Sequence, residues 1–240
     1  MKTVLFVATA ASAVVASADA GFLGFVASSR NVGAYTVIDL FAGVSNASDK
    51  FLNIYNTASN GSYYQAAGMT SKSWKPDAAG FTSTRDSIDS FMTAGTFSGG
   101  SYGGAYYASA NTNGDPNFTG TSWNTTPGAA AATTIPALAG WYTGDPTSVD
   151  NTAESLAGLV GRVNGSGAAS ANYGIWCAHL VLSGANKVIG TDFTFSAFAS
   201  IKDGVTGQVS QASSSFAAVP APGAIALLGV AGLAARRRRA

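Results

Sequence analysis

Apolar residues along this 240-residue chain gather in short runs rich in β-branched and aromatic side chains, and Gly, Ser, Asn and Asp punctuate them. Residues 35–44 (YTVIDLFAGV) predict a central strand. Tyr35, Val37, Asp39 and Phe41 would take one face, and Ile38, Leu40 and Ala42 the other. Residues 45–49 (SNASD) read as a turn and 51–56 (FLNIYN) as the return strand of a hairpin. From 61 to about 132 the chain is rich in turn residues and has no helical period, with short apolar pieces such as Tyr63-Tyr64 and Phe91-Met92 available for pairing. Residues 154–163 (ESLAGLVGRV) fit a short helix or a strand equally well.

The clearest later strand is 174–182 (GIWCAHLVL), where Ile175, Cys177, His179 and Val181 alternate with Trp176, Ala178, Leu180 and Leu182. Both faces are mostly apolar, which again predicts a central position. Residues 192–201 (DFTFSAFASI) show an edge-like pattern, 205–210 would close the domain, and 211–218 read as a Ser/Ala spacer. The expectation is an all-β domain over 21–210, a single antiparallel β-sandwich of jelly-roll or cohesin/carbohydrate-binding-module-like type. The finer likeness is a fold-level analogy.

The two ends follow different rules. Lys2, the apolar run 4–15 and Ala18-Asp19-Ala20 form a secretory signal with an A-x-A site, so cleavage would leave Gly21 as the first residue of a mature chain of residues 21–240. At the other end, Val219-Pro220-Ala221-Pro222-Gly223 precedes an apolar run that stops at Arg236, Arg237, Arg238 and Arg239. Pro222 suits a first helical turn, where its missing N–H costs nothing. A helix over 223–235 spans about 20 Å against a hydrocarbon core of ~30 Å, so 222–235 makes a short membrane segment. The arginines stay cytoplasmic and leave the body outside.

Residues 219–240 (VPAPGAIALLGVAGLAARRRRA) resemble the PEP-CTERM sorting signal of exported bacterial proteins: a Pro-x-Pro motif, a short transmembrane run and an arginine cluster. The usual middle residue is glutamate, and Ala221 makes this a Pro-Ala-Pro variant. The resemblance covers about 22 residues. It implies export machinery and an exosortase-type processing enzyme as partners, with a cell-envelope, surface or extracellular-matrix destination.

Charge sharpens this reading. Lys2 and the four tail arginines hold five of the thirteen basic residues and Asp19 one of the twelve acids, which leaves 21–235 with eight basic and eleven acidic groups, about −3. That argues against nucleic acid as a partner. Ten of those eleven acids are aspartates, a turn-favouring residue, so they mark loops. The single cysteine, Cys177, cannot close an intramolecular disulfide.

Candidate chemistry is sparse. Gly99-Gly100-Ser101-Tyr102-Gly103 matches the G-x-S-x-G pattern, and Ser101 with Asp115, Asp145 or Asp150 and His179 falls in hydrolase order. That motif needs a strand before it and a helix after it, whereas here a Gly/Ser/Tyr loop surrounds it. Cys177 and His179 on one strand face are too few ligands for zinc. Asp115, Asp145, Asp150 and Asp203 could offer oxygen to calcium but lack the D-x-D-x-D-G spacing, and turns explain them better. Trp74, Trp123 and Trp141 lie in loop-like segments, where exposed rings would stack on sugars and buried ones would cap the core. The sequence thus predicts a non-enzymatic exported surface or matrix protein without metal or cofactor. A carbohydrate-binding module engaging extracellular polysaccharide is the alternative, and a serine hydrolase using Ser101 the remote one.

Overall fold

The computed structural model describes residues 21–66, 74–76, 84–97, 107–108, 117–119, 133–147, 151 and 153–216. The signal at 1–20, Ser101, Asp115, Trp123, Asp150 and the whole sorting tail lie outside the described residues.

The described chain is all-β: two antiparallel sheets packed face to face as a β-sandwich. The first sheet is built from β1 (Phe22–Val32), β2 (Tyr35–Val44), β4 (Phe91–Met92), β9 (Ala153–Ser155), β10 (Arg162–Asn164) and β11 (Tyr173–Ser183). Its order is β10-β1-β2-β11-β4, with β9 also on β11. The second contains β3 (Lys50–Ser59), β7 (Asn117–Phe118), β8 (Trp141–Tyr142), β12 (Phe195–Lys202) and β13 (Val209–Phe216), in the order β13-β12-β3-β8-β7. A small pair joins β5 (Thr96–Phe97) to β6 (Tyr107–Ala108).

Phe25, Ile38, Leu40, Phe51, Ile54, Trp141, Ile175, Leu180, Phe195 and Ile201 fill the space between the sheets. A second apolar cluster lies on the other side of the first sheet, where Val26, Phe41, Phe91, Leu156, Ala168 and Trp176 pack together. The first sheet is therefore covered on both faces, which is why β2 and β11 read as nearly continuous apolar runs.

Several expectations need correction. The turn at 45–49 does not close a hairpin. It carries the chain from β2 in the first sheet to β3 in the second, while β2 pairs with β1 and β11. Strand β1 carried no strand signal, because Gly24 and the polar run Ser28–Asn31 dilute its pattern. The ambiguous 154–163 segment resolves into parts of two short strands, β9 and β10.

The 211–218 spacer is also mostly strand, since β13 runs to Phe216. Its serines look like a linker by composition, yet they close an edge. Ser214 Oγ accepts the Phe25 N–H at 2.9 Å and Ser210 Oγ that of Phe22 at 3.1 Å. Backbone donors of β1 that β10 does not reach are satisfied by side chains from the other sheet.

Candidate functional site

The tryptophans proposed for glycan stacking are the first test. Trp74 and Trp141 are both fully buried. Trp74 meets Tyr63 edge-on at 5.5 Å, and Trp141 Nε1 donates to the Cys177 carbonyl at 2.9 Å. Neither offers a ring face to a sugar; both are core residues that tie loops and the short strand β8 to the sandwich.

In β11 a bulge between Trp176 and Ala178 shifts the strand's phase by one residue. Cys177 stays in the inter-sheet core, whereas His179 turns to the opposite face, beside Trp176. The alternation expected from sequence is broken there, and Cys177 and His179 do not share a face. Cys177 Sγ donates to the Leu40 carbonyl at 3.2 Å, and burial pushes its thiol well above the ordinary range.

The shift places His179 opposite Asp39 of β2, in register. His179 Nδ1 lies 2.7 Å from Asp39 Oδ1, and His179 Nε2 lies 2.8 Å from the Ser87 carbonyl. A carbonyl oxygen only accepts, so Nε2 carries a proton. Burial alone would raise the Asp39 carboxyl, but the charge and hydrogen bond of His179, with Arg30 and Arg85 beyond, outweigh it and hold Asp39 below its ordinary value of 3.8. Asp39 is thus a carboxylate, and His179 Nδ1 faces it at hydrogen-bond distance. Arg30 Nη1 donates to the other oxygen, Oδ2, at 2.5 Å.

Around this triad, Arg85 pairs with Glu154 and holds its guanidinium 5.1 Å from the ring centres of both Phe41 and Trp176. Phe91 stacks on His179 at 4.8 Å. The network fastens the 84–91 segment over the outer face of the first sheet. It also engages both nitrogens of the histidine on which a Ser101 hydrolase would depend, and it supplies Asp39 where that scheme used Asp115, Asp145 or Asp150. The signal in the sequence was a single acid inside YTVIDLFAGV and a single histidine inside GIWCAHLVL. Only pairing of strands 140 residues apart brings them together.

The loop aspartates serve turns where they are described. Asp145 Oδ1 accepts from Thr147 N and Oγ1, and Asp203 Oδ1 accepts from Val205 N and Thr206 N at 2.7 Å each. Those two N–H bonds hold the Asp203 carboxyl below its ordinary value. Among the described residues, no group of three His, Cys, Asp or Glu side chains could hold a metal ion.

Two surface features remain. An open cleft of about 590 Å³ lies between the 60–65 segment and the loop after β11, where Asn60, Tyr64, Gln65 and the Lys187–Asp192 ion pair meet. On the outer face of the second sheet, Tyr55 and Phe198 are cross-strand partners stacked at 5.4 Å and 21°, with Phe198 39% exposed. Tyr142 stands one strand further along, opposite Asn53 and 41% exposed.

Comparison with family models, curated proteins and solved structures returns no match. What the described chain defines is a class: an all-β sandwich with a buried Asp39–Arg30 ion pair on one sheet and a stacked pair of half-buried Tyr55 and exposed Phe198 on the other.

Proposed function

We propose that this chain is a non-enzymatic component of a bacterial cell surface or extracellular matrix, exported by its N-terminal signal and sorted by its PEP-CTERM-like tail, with a sandwich of the jelly-roll or cohesin-like kind. The observation that carries this reading is how the terminal segments abut the fold. Strand β1 begins at Phe22, two residues past the A-x-A site at Ala18 and Ala20, and β13 ends at Phe216, three residues before Val219. A signal cleaved before Gly21 and a tail held in the membrane or cut by an exosortase-type enzyme near Pro220, Pro222 and Gly223 would each leave every described strand intact. Engagement of His179 and Cys177 in packing contacts supports a structural body over a catalytic one.

Polysaccharide binding is the second reading, and the Phe198 ring, stacked on Tyr55 and 39% exposed, favours it. Intact mass of the protein from envelope and medium fractions tests the first. A species starting at Gly21 is expected, ending before Ala224 where the tail is processed and keeping Arg236 to Arg239 where it anchors. A full-length chain in the cytosol would overturn the reading. Replacing Arg236 to Arg239 with Ser should release or mislocalise the protein without changing its fold, and unchanged fractionation would count against a sorting role.

A further inference from the structure

We propose that the outward face of β12 and β3 binds an acidic polysaccharide, with sugar rings lying against Phe198 and Tyr142 and carboxylates meeting Lys50 and Lys202. This deepens the polysaccharide reading and rests on it.

The register lays out the site. Phe198 pairs with Tyr55, Ser200 with Asn53 and Lys202 with Lys50, each pair on the face turned away from the core. From Ser196 to Lys202 the strip is about 20 Å long at the rise of a strand, enough for several linked sugars. Aromatic rings stand near one end, hydroxyl and amide groups in the middle and two ammonium groups at the other end. Beside Phe198 a groove of about 230 Å³ is lined by Asn56, Ser166, Ser213 and Ser215, which are hydrogen-bonding groups suited to sugar hydroxyls.

The centre of the strip is closed to solvent, since Ser200 is 1% exposed and Asn53 Oδ1 is buried, so a ligand would meet the rings and the lysines on either side. The Tyr55 hydroxyl reaches across β12 to Gln211 Oε1 at 3.4 Å, a long bond that a ligand hydroxyl can replace.

Charge selects the occupant. Lys50 and Lys202 are like charges directly opposite on adjacent strands, an arrangement that destabilises a sheet. Neither forms an ion pair among the described residues. Lys50 Nζ gives one bond to the Asn151 carbonyl at 3.0 Å and keeps further donors. Their sequence neighbours Asp49 and Asp203 accept backbone N–H bonds in turns, and neither forms an ion pair with these lysines among the described residues. A carboxylate-bearing chain relieves this repulsion.

A protein partner fits less well, because the serines and amides divide the apolar surface into single rings.

The test is retardation of the full-length protein in detergent-containing native gels cast with polygalacturonate or with its fully methyl-esterified form. Polygalacturonate should retard it, the ester should do so far less, and added salt should weaken the effect. F198A, Y142A and the double variant K50Q/K202Q should each lower apparent affinity about tenfold, with a cooperative melting transition showing that each is folded. If F198A fails to fold, Y142A and K50Q/K202Q carry the test. Absence of retardation, equal retardation by the ester, or retention by all three variants at the unmodified protein's affinity would overturn the proposal. Failure of the export reading shows separately, as protein confined to the cytosol that still binds the polymer in the gel.

Discussion

Asp39→Asn is the sharpest perturbation of this fold. Asparagine keeps the shape of the side chain, so no cavity opens and the change isolates the charge. In the native protein Asp39 is 1% exposed and meets His179 Nδ1 at 2.7 Å and the Arg30 guanidinium at 2.5 Å. Breaking a buried pair by removing one partner costs about 3–5 kcal/mol, because the other charge is left without compensation. Two features pull the value toward the lower end. The Arg30 side chain is 22% exposed and can recover some hydration, and the new amide can still hydrogen-bond to His179 Nδ1 while Nε2 keeps the Ser87 carbonyl.

We therefore expect a loss of about 3 kcal/mol at neutral pH, a large share of the ~5–15 kcal/mol available to a domain. Melting should fall by roughly 6–12 °C for a domain of this size. Urea unfolding with an unchanged denaturant slope is the assay. The pH dependence carries a definite sign. Asp39 is held below its ordinary value of 3.8, so its contribution is fully present above that pH and is lost as pH falls through the lower value in the fold. The gap between the unmodified protein and the variant should therefore close in acid. Asp86→Asn is the contrast: that carboxylate is 87% exposed and 3.7 Å from Arg30 Nε, and its loss should cost almost nothing. An Asp39→Asn penalty below about 1 kcal/mol, or one that persists far below the ordinary aspartate range, would refute the reasoning.

Three further outcomes follow from the packing. Trp74→Ala and Trp141→Ala should each destabilise by about 3–5 kcal/mol in urea titrations, and unmodified stability would show that these rings do not anchor the core. Cys177 should resist alkylation at mildly alkaline pH in the folded protein and react once urea unfolds it, as judged by mass; equal labelling in both states would contradict its burial. Gly24→Ala should lower stability by about 1–3 kcal/mol or more, because Gly24 has φ 130 and a Cβ there would lie 2.4 Å from the Ser166 carbonyl oxygen; a neutral result by calorimetry would mean that this loop yields easily.

Much of the fold was legible in residue order, and the reasons are local. Strand β2 matches the 35–44 pattern, and β11 extends the 174–182 pattern by one residue at each end, because a strand buried on both faces must be apolar at nearly every position. The all-β class followed from short β-branched and aromatic runs set among turn residues. Aspartate's preference for turns placed Asp145 and Asp203 correctly in their loops.

The remaining features depend on contacts between distant segments. Whether Trp74 and Trp141 face sugar or core depends on what packs over them, and composition carries no such information. The serines of 210–215 look alike as a linker or as a strand; the open N–H groups of Phe22 and Phe25, nearly 190 residues away, make them part of the sheet edge. His179 and Asp39 are inconspicuous singly, and one bulge at Cys177 turns the histidine toward its partner. The stacking of Tyr55 on Phe198 likewise requires β3 and β12 to be neighbours. Sequence determined the all-β class and the central strands β2 and β11, since those depend on near neighbours and local periodicity. Tertiary structure decided which charges meet and which rings reach solvent, because register and sheet order fix distances between residues far apart along the chain.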